Sequence, residues 1–569
     1  LSRSNLNLRT VLIFLQAGIG LYVIGSLYNI DQLLSAPWNG YNLQKPVFVF
    51  SRYFLDSSAL MLLPAIGLGM SFPILVKMIS GGYRHIGKET GQIYGVNTLG
   101  AISGSLLTGF LLIPKLGTQQ SLLLVATLNL LMMLFLFRTG DYFTKTLRKV
   151  MTLVLAGVIL IVNMGVPPDL LDRFFMRDST GQKDIRKLIY FEEGLTDTVA
   201  IFKDDYGILD PDAKRLVTNG VSMSAVNFLA SRYMKLLAHI PIMLVDNPQD
   251  VLVVCFGTGQ TTGAAAMHPK VKTVDSVDLS ESVLKAGNVF ASQNYNALKN
   301  DKVRTLLTDG RNHLLTTQKM YDVITSEPPP PRTAFTVNLY TKEYYEMARQ
   351  RLNPGGIMAQ WIPLHSQGKN EVLMHFKTFL AVFPHAIAWM PVANEIIIIG
   401  SQNPININFA EIKKRFEDPV VSRFMEEIQV LDAFSFLSSI WFLEDQMNSL
   451  ARNQPVITDN KPVIEFYLDL GDVIGVYVRE DLLFARTPFR EISNRISNII
   501  NSDQKILEAK YDGMGLYQRG VTYGNRELLL DSLAKLGVSD LVRYHLQASS
   551  KQVSALIQEL NANPSNVEA

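Results

Sequence analysis

The chain has 569 residues, with 53 Lys/Arg against 51 Asp/Glu and a single cysteine. The even charge balance gives no reason to expect a nucleic-acid partner, and Cys255 alone excludes an internal disulfide framework or a cysteine-rich metal site. The average hides a division: residues 1–166 carry 12 Lys/Arg and 4 Asp/Glu whereas residues 167–569 carry 41 and 47, so the chain is neither soluble throughout nor disordered.

Five apolar stretches open the sequence: Thr10–Tyr28, Phe54–Lys77, Tyr94–Ile113, Ser121–Phe137 and Val150–Val166. Each is close to the ~20 residues that cross a ~30 Å hydrocarbon core, and only helices satisfy their own backbone there, so five spanning helices are expected. Asp56, near the start of the second stretch, is expected at the interface rather than on a transport path. Gly91-x-x-x-Gly95 and Gly100-x-x-x-Gly104 suggest close helix packing. Arg3, Arg9, Lys77, Arg84, Lys88, Arg138, Lys145, Arg148 and Lys149 fall in loops on one side, against Lys45, Arg52 and Lys115 on the other. That asymmetry puts the N-terminus in the cytoplasm and, after five crossings, the rest of the chain on the far side, the periplasm of a bacterial inner membrane. Leu1 is not a start methionine, which leaves room for residues upstream.

Beyond the apolar region the signals change. Thr198–Lys203 and Arg215–Thr218 read as strands around a turn at Asp204–Asp212, and a helix is expected from Ala225 to His239, ending before Pro241. Strand-like runs then alternate with helical ones: Val251–Phe256, Val274–Leu279, Val303–Leu307, Tyr321–Thr325, Gly356–Trp361 and Glu395–Gly400. This alternation predicts a mostly parallel, doubly wound sheet with its ligand at the carboxyl ends of the strands. Residues 401–473 read as mixed structure with a strand at Pro462–Leu468, and residues 474–569 as amphipathic helices with a polar tail.

The chemistry gathers at strand ends. Gly257-Thr-Gly259-Gln-Thr-Thr-Gly263 follows the first strand, where glycines allow close backbone approach and the next helix offers free N–H groups. The loop alone could equally be a tight strand-to-helix turn. Asp278, 19 residues after Gly259, can accept from ribose hydroxyls, and Asp309, one strand further on, can hold an adenine amino group. Together they suggest a nucleoside ligand. The eight histidines are scattered without metal-ligand spacing, no G-x-S-x-G elbow is present, and Cys255 reads as a core residue, so no metal is expected.

The runs VLVVCFGTGQTTGAAA, SVDLSESVL, LLTDGRNHL, YDVITSEPPPPRTAFTVNLYTKEYYE and RLNPGGIMAQWIPLH, flanked by LLAHIP and TDNKPVIEF, resemble the spermidine synthase family of polyamine aminopropyltransferases. Together with YGVNTLGAISGSLLTGFLLIPKLG they resemble the branch fused to membrane helices. The resemblance implies an α-helical membrane domain of about five spans, then an α/β class I methyltransferase-like, Rossmann-type domain with a small β lead-in and a helical C-terminal extension. The expected boundaries are 1–168, 169–250, 251–400, 401–473 and 474–569. It implies decarboxylated S-adenosylmethionine as donor, with Gly257, Gly259 and Gly263 forming its loop, Asp278 as ribose-binding acid, Asp309 as adenine-binding acid and Glu327 as the catalytic acid.

The sequence also departs from the family. Glu327 stands at the first acid of an Asp-x-x-Asp-Pro motif but Pro330 at the second, Leu229 and Ala230 replace acids expected before H-x-P, and Thr198 replaces a glutamine. A diamine would lose charge-assisted hydrogen bonds worth about 1.5–3 kcal/mol each. Two readings stay open at this point: a membrane-anchored transferase acting on a small amine, and a catalytically inactive subunit of a membrane complex, with the lipid bilayer as partner in both.

Overall fold

The computed structural model describes residues 7–30, 46–79, 86–140, 144–167, 187–204, 210–331, 333–365, 367–466, 481–537, 541–542 and 545–546. The expected loop charges Arg3, Lys45 and Arg84, part of the turn at Asp204–Asp212, Leu468 and the polar tail lie outside them. The chain divides into two compact units, Leu1–Lys187 with Glu192–Thr198, and Leu188–Phe191 with Val199–Ala569.

The first unit is helical: α1 (Leu8–Tyr28), α2 (Pro46–Ile79), α3 (Ile86–Leu107), α4 (Ile113–Thr139) and α5 (Lys145–Met164). Among the described residues four helical runs are long and apolar enough to cross a membrane: Leu8–Tyr28, Phe54–Ile79, Gly87–Thr139 and Lys145–Met164. The third and fourth apolar stretches therefore share one 53-residue run. That run would be roughly 80 Å long if straight, but α3 passes through a π-helical turn at Thr108–Leu112 and α4 is broken at Gly117 (φ 79°, ψ 164°). Beyond the break the Glu193 carboxylate accepts from the Thr118 N–H at 2.6 Å, satisfying one donor that the interruption frees. The expected packing role of Gly91, Gly95, Gly100 and Gly104 is not met among the described residues, because a Cβ at any of them would touch nothing within 4 Å. Close approach occurs at Gly20 instead, where a Cβ would meet Leu130 Cγ at 2.6 Å.

A four-stranded sheet, most of whose residues belong to the second unit, runs in the order β1 (Lys187–Glu193), β2 (Thr198–Lys203), β3 (Lys214–Thr218), β4 (Val221–Val226). The expected helix from Ala225 is thus displaced: β4 occupies its start, and α6 spans Phe228–Leu244, straight through Pro241. A proline inside a helix deprives the carbonyl four residues back of its donor. Here that carbonyl, on Leu237, accepts from the Thr325 hydroxyl at 3.3 Å, so the helix continues.

The main sheet has eight strands in the order β13-β10-β11-β9-β8-β5-β6-β7. Strands β5 (Asp250–Val254), β6 (Thr273–Asp278), β7 (Val303–Leu307), β8 (Tyr321–Ser326) and β9 (Leu352–Pro363) pair in parallel. Strands β10 (His385–Val392), β11 (Glu395–Ser401) and β13 (Ile440–Leu443) add antiparallel pairs, so the sheet is parallel over only one part. A two-residue strand, β12 (Ile407–Asn408), pairs outside it with β14 (Ile496–Ser497). The expected strand at Pro462–Leu468 is instead a 3₁₀ turn, Val463–Phe466.

Period-two alternation splits the core across the sheet. Val251 and Val253 enter one cluster with Ile397 and Ile399, while Leu252 and Val254 enter the other with Ile396 and Ile398. Chain order reverses between β5 and β8, which makes a switch point at their carboxyl ends. Helix α7 (Gln260–Met267) follows β5. Two later helices, α8 (Asn501–Tyr523) and α9 (Arg526–Leu536), form the described C-terminal part.

Candidate functional site

The switch point brings the singled-out residues to one edge. The loop after β5 leaves the strand through Cys255 (φ 71°) and turns at Gly257 (φ 53°) and Gly259 (φ 79°), left-handed conformations that favour glycine. Gly259 caps α7, and a Cβ there would lie 2.5 Å from the Phe256 ring. Gly263, one turn into α7, is required for packing: a Cβ would lie 2.0 Å from the Asn294 carbonyl oxygen.

Asp278 ends β6. Its Oδ2 accepts from the Phe256 N–H and its Oδ1 from the Ser280 N–H, both at 2.9 Å. These two contacts fix the carboxylate at the strand end, and a carboxylate accepts at about four positions in all. Asp309 follows β7 and caps the next helical turn by accepting from the Asn312 N–H at 2.8 Å. Leu279, beside Asp278, and Leu307, opposite it in the β6–β7 register, are both more than half exposed. These two apolar faces beside the carboxylates escaped the sequence reading. Burial pushes the Cys255 thiol up, and Asp278, Glu327 and Asp309 push it further. All three acids thus act on this thiol, and their charges favour its neutral form.

Glu327 follows β8. It accepts from the Thr261 hydroxyl at 3.1 Å and from the Tyr233 hydroxyl. Burial raises its carboxyl to about 7 against the opposing effect of these two donors.

Tyr233, on α6, begins a chain of contacts absent from the sequence reading. Its ring stacks on Trp361 of β9 at 6.0 Å between centroids and 11° between planes. The Trp361 indole N–H donates to Glu395 Oε2 at 2.7 Å. Glu395 opens β11 directly after a two-residue turn, and its Oε1 lies 3.7 Å from His365 Nε2. Burial raises the Glu395 carboxyl to about 8, the Trp361 donor opposes the rise and the charge of Glu327 adds to it. Two carboxylates are thus electrostatically linked across a stacked aromatic pair. The available signal was a lone acid opening an otherwise apolar strand, Glu395 before four isoleucines.

Tyr233, Trp361, His365 and Glu395 line a cavity of about 300 Å³, at the small end of ligand pockets. Leu229, Ala230 and Pro330, the uncharged residues at expected acidic positions, line it too. Thr198, the fourth departure, lies in β2.

Among the described residues no three His, Cys, Asp or Glu side chains converge as metal ligands. Two of the scattered histidines do meet: His239 Nδ1 and His268 Nε2 are 2.7 Å apart against Phe424. Burial lowers both, His268 to about 3, which keeps the pair neutral.

Residues 230–407 match the spermine/spermidine synthase domain. The chain is 29% identical over 227 residues to a polyamine aminopropyltransferase of Methanocaldococcus jannaschii, covering 37% of this chain and 74% of that one. It is 27% identical over 302 residues to one of Oceanobacillus iheyensis, covering 51% and 55%. It thus spans only about half the length of the second relative. Among solved structures, the spermidine synthase of Thermotoga maritima aligns with a TM-score of 0.37 at 18% identity, over 47% of this chain and 88% of that one.

Proposed function

We propose that the chain is a membrane-anchored transferase, of the membrane-fused spermidine synthase kind, that moves an aminopropyl group from decarboxylated S-adenosylmethionine to an amine. One observation carries this reading over the scaffold alternative: a second carboxylate, Glu395, joins Glu327 through the stacked Tyr233–Trp361 pair, while Leu229, Ala230 and Pro330 stand uncharged at the motif positions. The glycine loop, Asp278 and Asp309 would hold the adenosyl part, with Leu279 and Leu307 against its base. In the transfer, the amine lone pair attacks the propyl carbon next to the sulfonium. The carbon–sulfur bond breaks, its electron pair returns to sulfur, and methylthioadenosine leaves. The proton shed by the alkylated nitrogen passes to Glu327, whose carboxyl near 7 suits a general base.

Membrane anchoring is supported by exposure in the helical unit. Phe14, Leu153, Ile161 and Met164 are 70–77% exposed, a density of bare apolar surface that suits lipid. The scaffold reading keeps one supporting observation: if all five apolar stretches cross, the loop charges would put residues after Val166 outside the cytoplasm, away from where the donor is made.

Two measurements test these readings. Calorimetry on the detergent-solubilised chain should show saturable methylthioadenosine binding, weakened about 10- to 100-fold in Asp278→Ala, the loss of hydrogen bonds to a charged group. No binding at millimolar ligand overturns the transferase reading. A reporter fused after Phe466 should behave as periplasmic by the charge count, and a cytoplasmic signal overturns that orientation.

A further inference from the structure

The cavity beside Glu395 has an uneven charge distribution. Glu395 is the only carboxylate that lines it among the described residues, since Glu327 meets it through Tyr233. Around Glu395 stand two stacked aromatic rings and His365, a setting in which one ammonium would draw Glu395 into its charged form and lie near aromatic rings. The rest of the wall offers nothing of the kind. Leu229, Ala230 and Pro330 are apolar, and the remaining lining polar groups are neutral hydroxyls, amides and a second histidine.

That histidine, His545, and Val521 come from the C-terminal part, far outside residues 230–407. Their placement is fixed by a buried set of contacts. Arg486 is held between the rings of Trp441, on β13, and Tyr511, on α8, at 4.0 and 3.3 Å. The Gln518 amide of α8 donates to the Met390 carbonyl of β10 at 2.9 Å, and fully buried Tyr517 lies 5.6 Å from the His545 ring. Burial lowers His545 to about 4, so it adds no charge to the wall at neutral pH.

We propose that the acceptor is an amine carrying one positive charge, with an uncharged tail covered by Val521 and His545, and that the C-terminal segment sets how long this tail can be. Among the described residues a second ammonium would meet no carboxylate on that wall, and a charge that leaves water without a partner is disfavoured. This inference rests on the transferase reading above.

The experiment supplies the full chain in detergent with decarboxylated S-adenosylmethionine and compares 1-aminobutane, 1-aminohexane and 1,4-diaminobutane by methylthioadenosine release and product mass. We expect kcat/KM for 1-aminobutane to exceed that for 1,4-diaminobutane by about tenfold or more. Val521→Trp should lower the aminohexane-to-aminobutane ratio of kcat/KM about tenfold, and Val521→Ala, the gentler change, should raise it about threefold. Methylthioadenosine affinity, measured alongside, should stay at its original value in both variants. Equal or better use of the diamine, or an unmoved length ratio in Val521→Ala, overturns this inference while leaving the transferase reading in place. Nucleoside binding without turnover of any of the three amines overturns both.

Discussion

Asp278 and Glu327 sit on strand ends of one sheet, yet their surroundings differ in kind. Asp278 is anchored by two backbone N–H groups of its own edge. Glu327 and Glu395 are met by side chains, Thr261, Tyr233 and Trp361, which arrive from three separate elements into a buried region. The first arrangement is made by the chain folding on itself locally. The second exists only after the helix and distant strands have packed. The proposed nucleoside end is therefore expected to be robust and the proposed amine end tunable. Desolvation raises both carboxyls at the proposed amine end, so it opposes the charge that amine binding would require.

The largest effect should come from Glu327→Gln. It keeps the shape and the Thr261 contact but cannot take a proton. Loss of a general base typically lowers the rate by about 10²–10⁴-fold. We expect kcat to fall within that range in a methylthioadenosine-release assay while nucleoside binding is retained. Wild-type turnover in this variant would place the base elsewhere and collapse the distinction between the two ends.

Glu395→Gln should separate function from stability. The folded carboxyl lies near 8 and its ordinary value is 4.5. A raised carboxyl contributes stability that is fully present below about 4.5 and is lost as pH climbs through 8. Glutamine carries no such dependence. Thermal melts of the two proteins should therefore diverge with rising pH, the variant gaining on the order of 3 kcal/mol relative to wild type by pH 9, at 1.36 kcal/mol per pH unit over part of that window. A constant difference between pH 5 and pH 9 would mean that Glu395 is not desolvated.

Gly263→Ala probes the nucleoside end. Its new methyl group would meet a backbone oxygen at 2.0 Å, so α7 or the Asn294 segment must move. Overpacking of this kind costs about 1–3 kcal/mol. Unlike Glu395→Gln, it should lower stability equally at every pH, and an unchanged melting temperature would contradict the tight packing of α7.

The same contrast decides what could be read from residues alone. The glycine loop, Asp278, Asp309 and the strand before each are local signals, and the structure puts them on one edge. Whether they bind a nucleoside is still a proposal. The helix at Ala225–His239 was misplaced because β-branching around Val221–Val226 and the Pro241 break are decided by tertiary partners: β3 pairs with β4, and Thr325 satisfies Leu237. Tyr233, Trp361 and Glu395 carry no spacing that links them. Their meeting follows from the antiparallel return of β11 along β9, in which Glu395 lies opposite Pro363, next to the Trp361 strand end. Val521 and His545 were out of reach for the same reason, since Val521 reaches the cavity on α8 and the His545 ring packs against Tyr517 of that helix.

The smallest predicted effect examines how α6 is held over the amine end. Thr325 donates to the carbonyl that Pro241 leaves open, and α6 carries Tyr233 toward Glu327, two residues beyond Thr325. Thr325→Val removes the donor and leaves a buried carbonyl unsatisfied, a cost of about 1 kcal/mol. In a Pro241→Ala background the helix supplies its own N–H to Leu237, so the same Thr325→Val change should cost less. Chemical denaturation of the four proteins of this cycle measures the difference directly. A cost that is identical with proline and alanine would show that Thr325 does not compensate for Pro241, and that the helix passes through the proline on the strength of packing alone. In that case the amine end would owe its Tyr233 to apolar contacts, and the polar tie between α6 and β8 would have no part in positioning it.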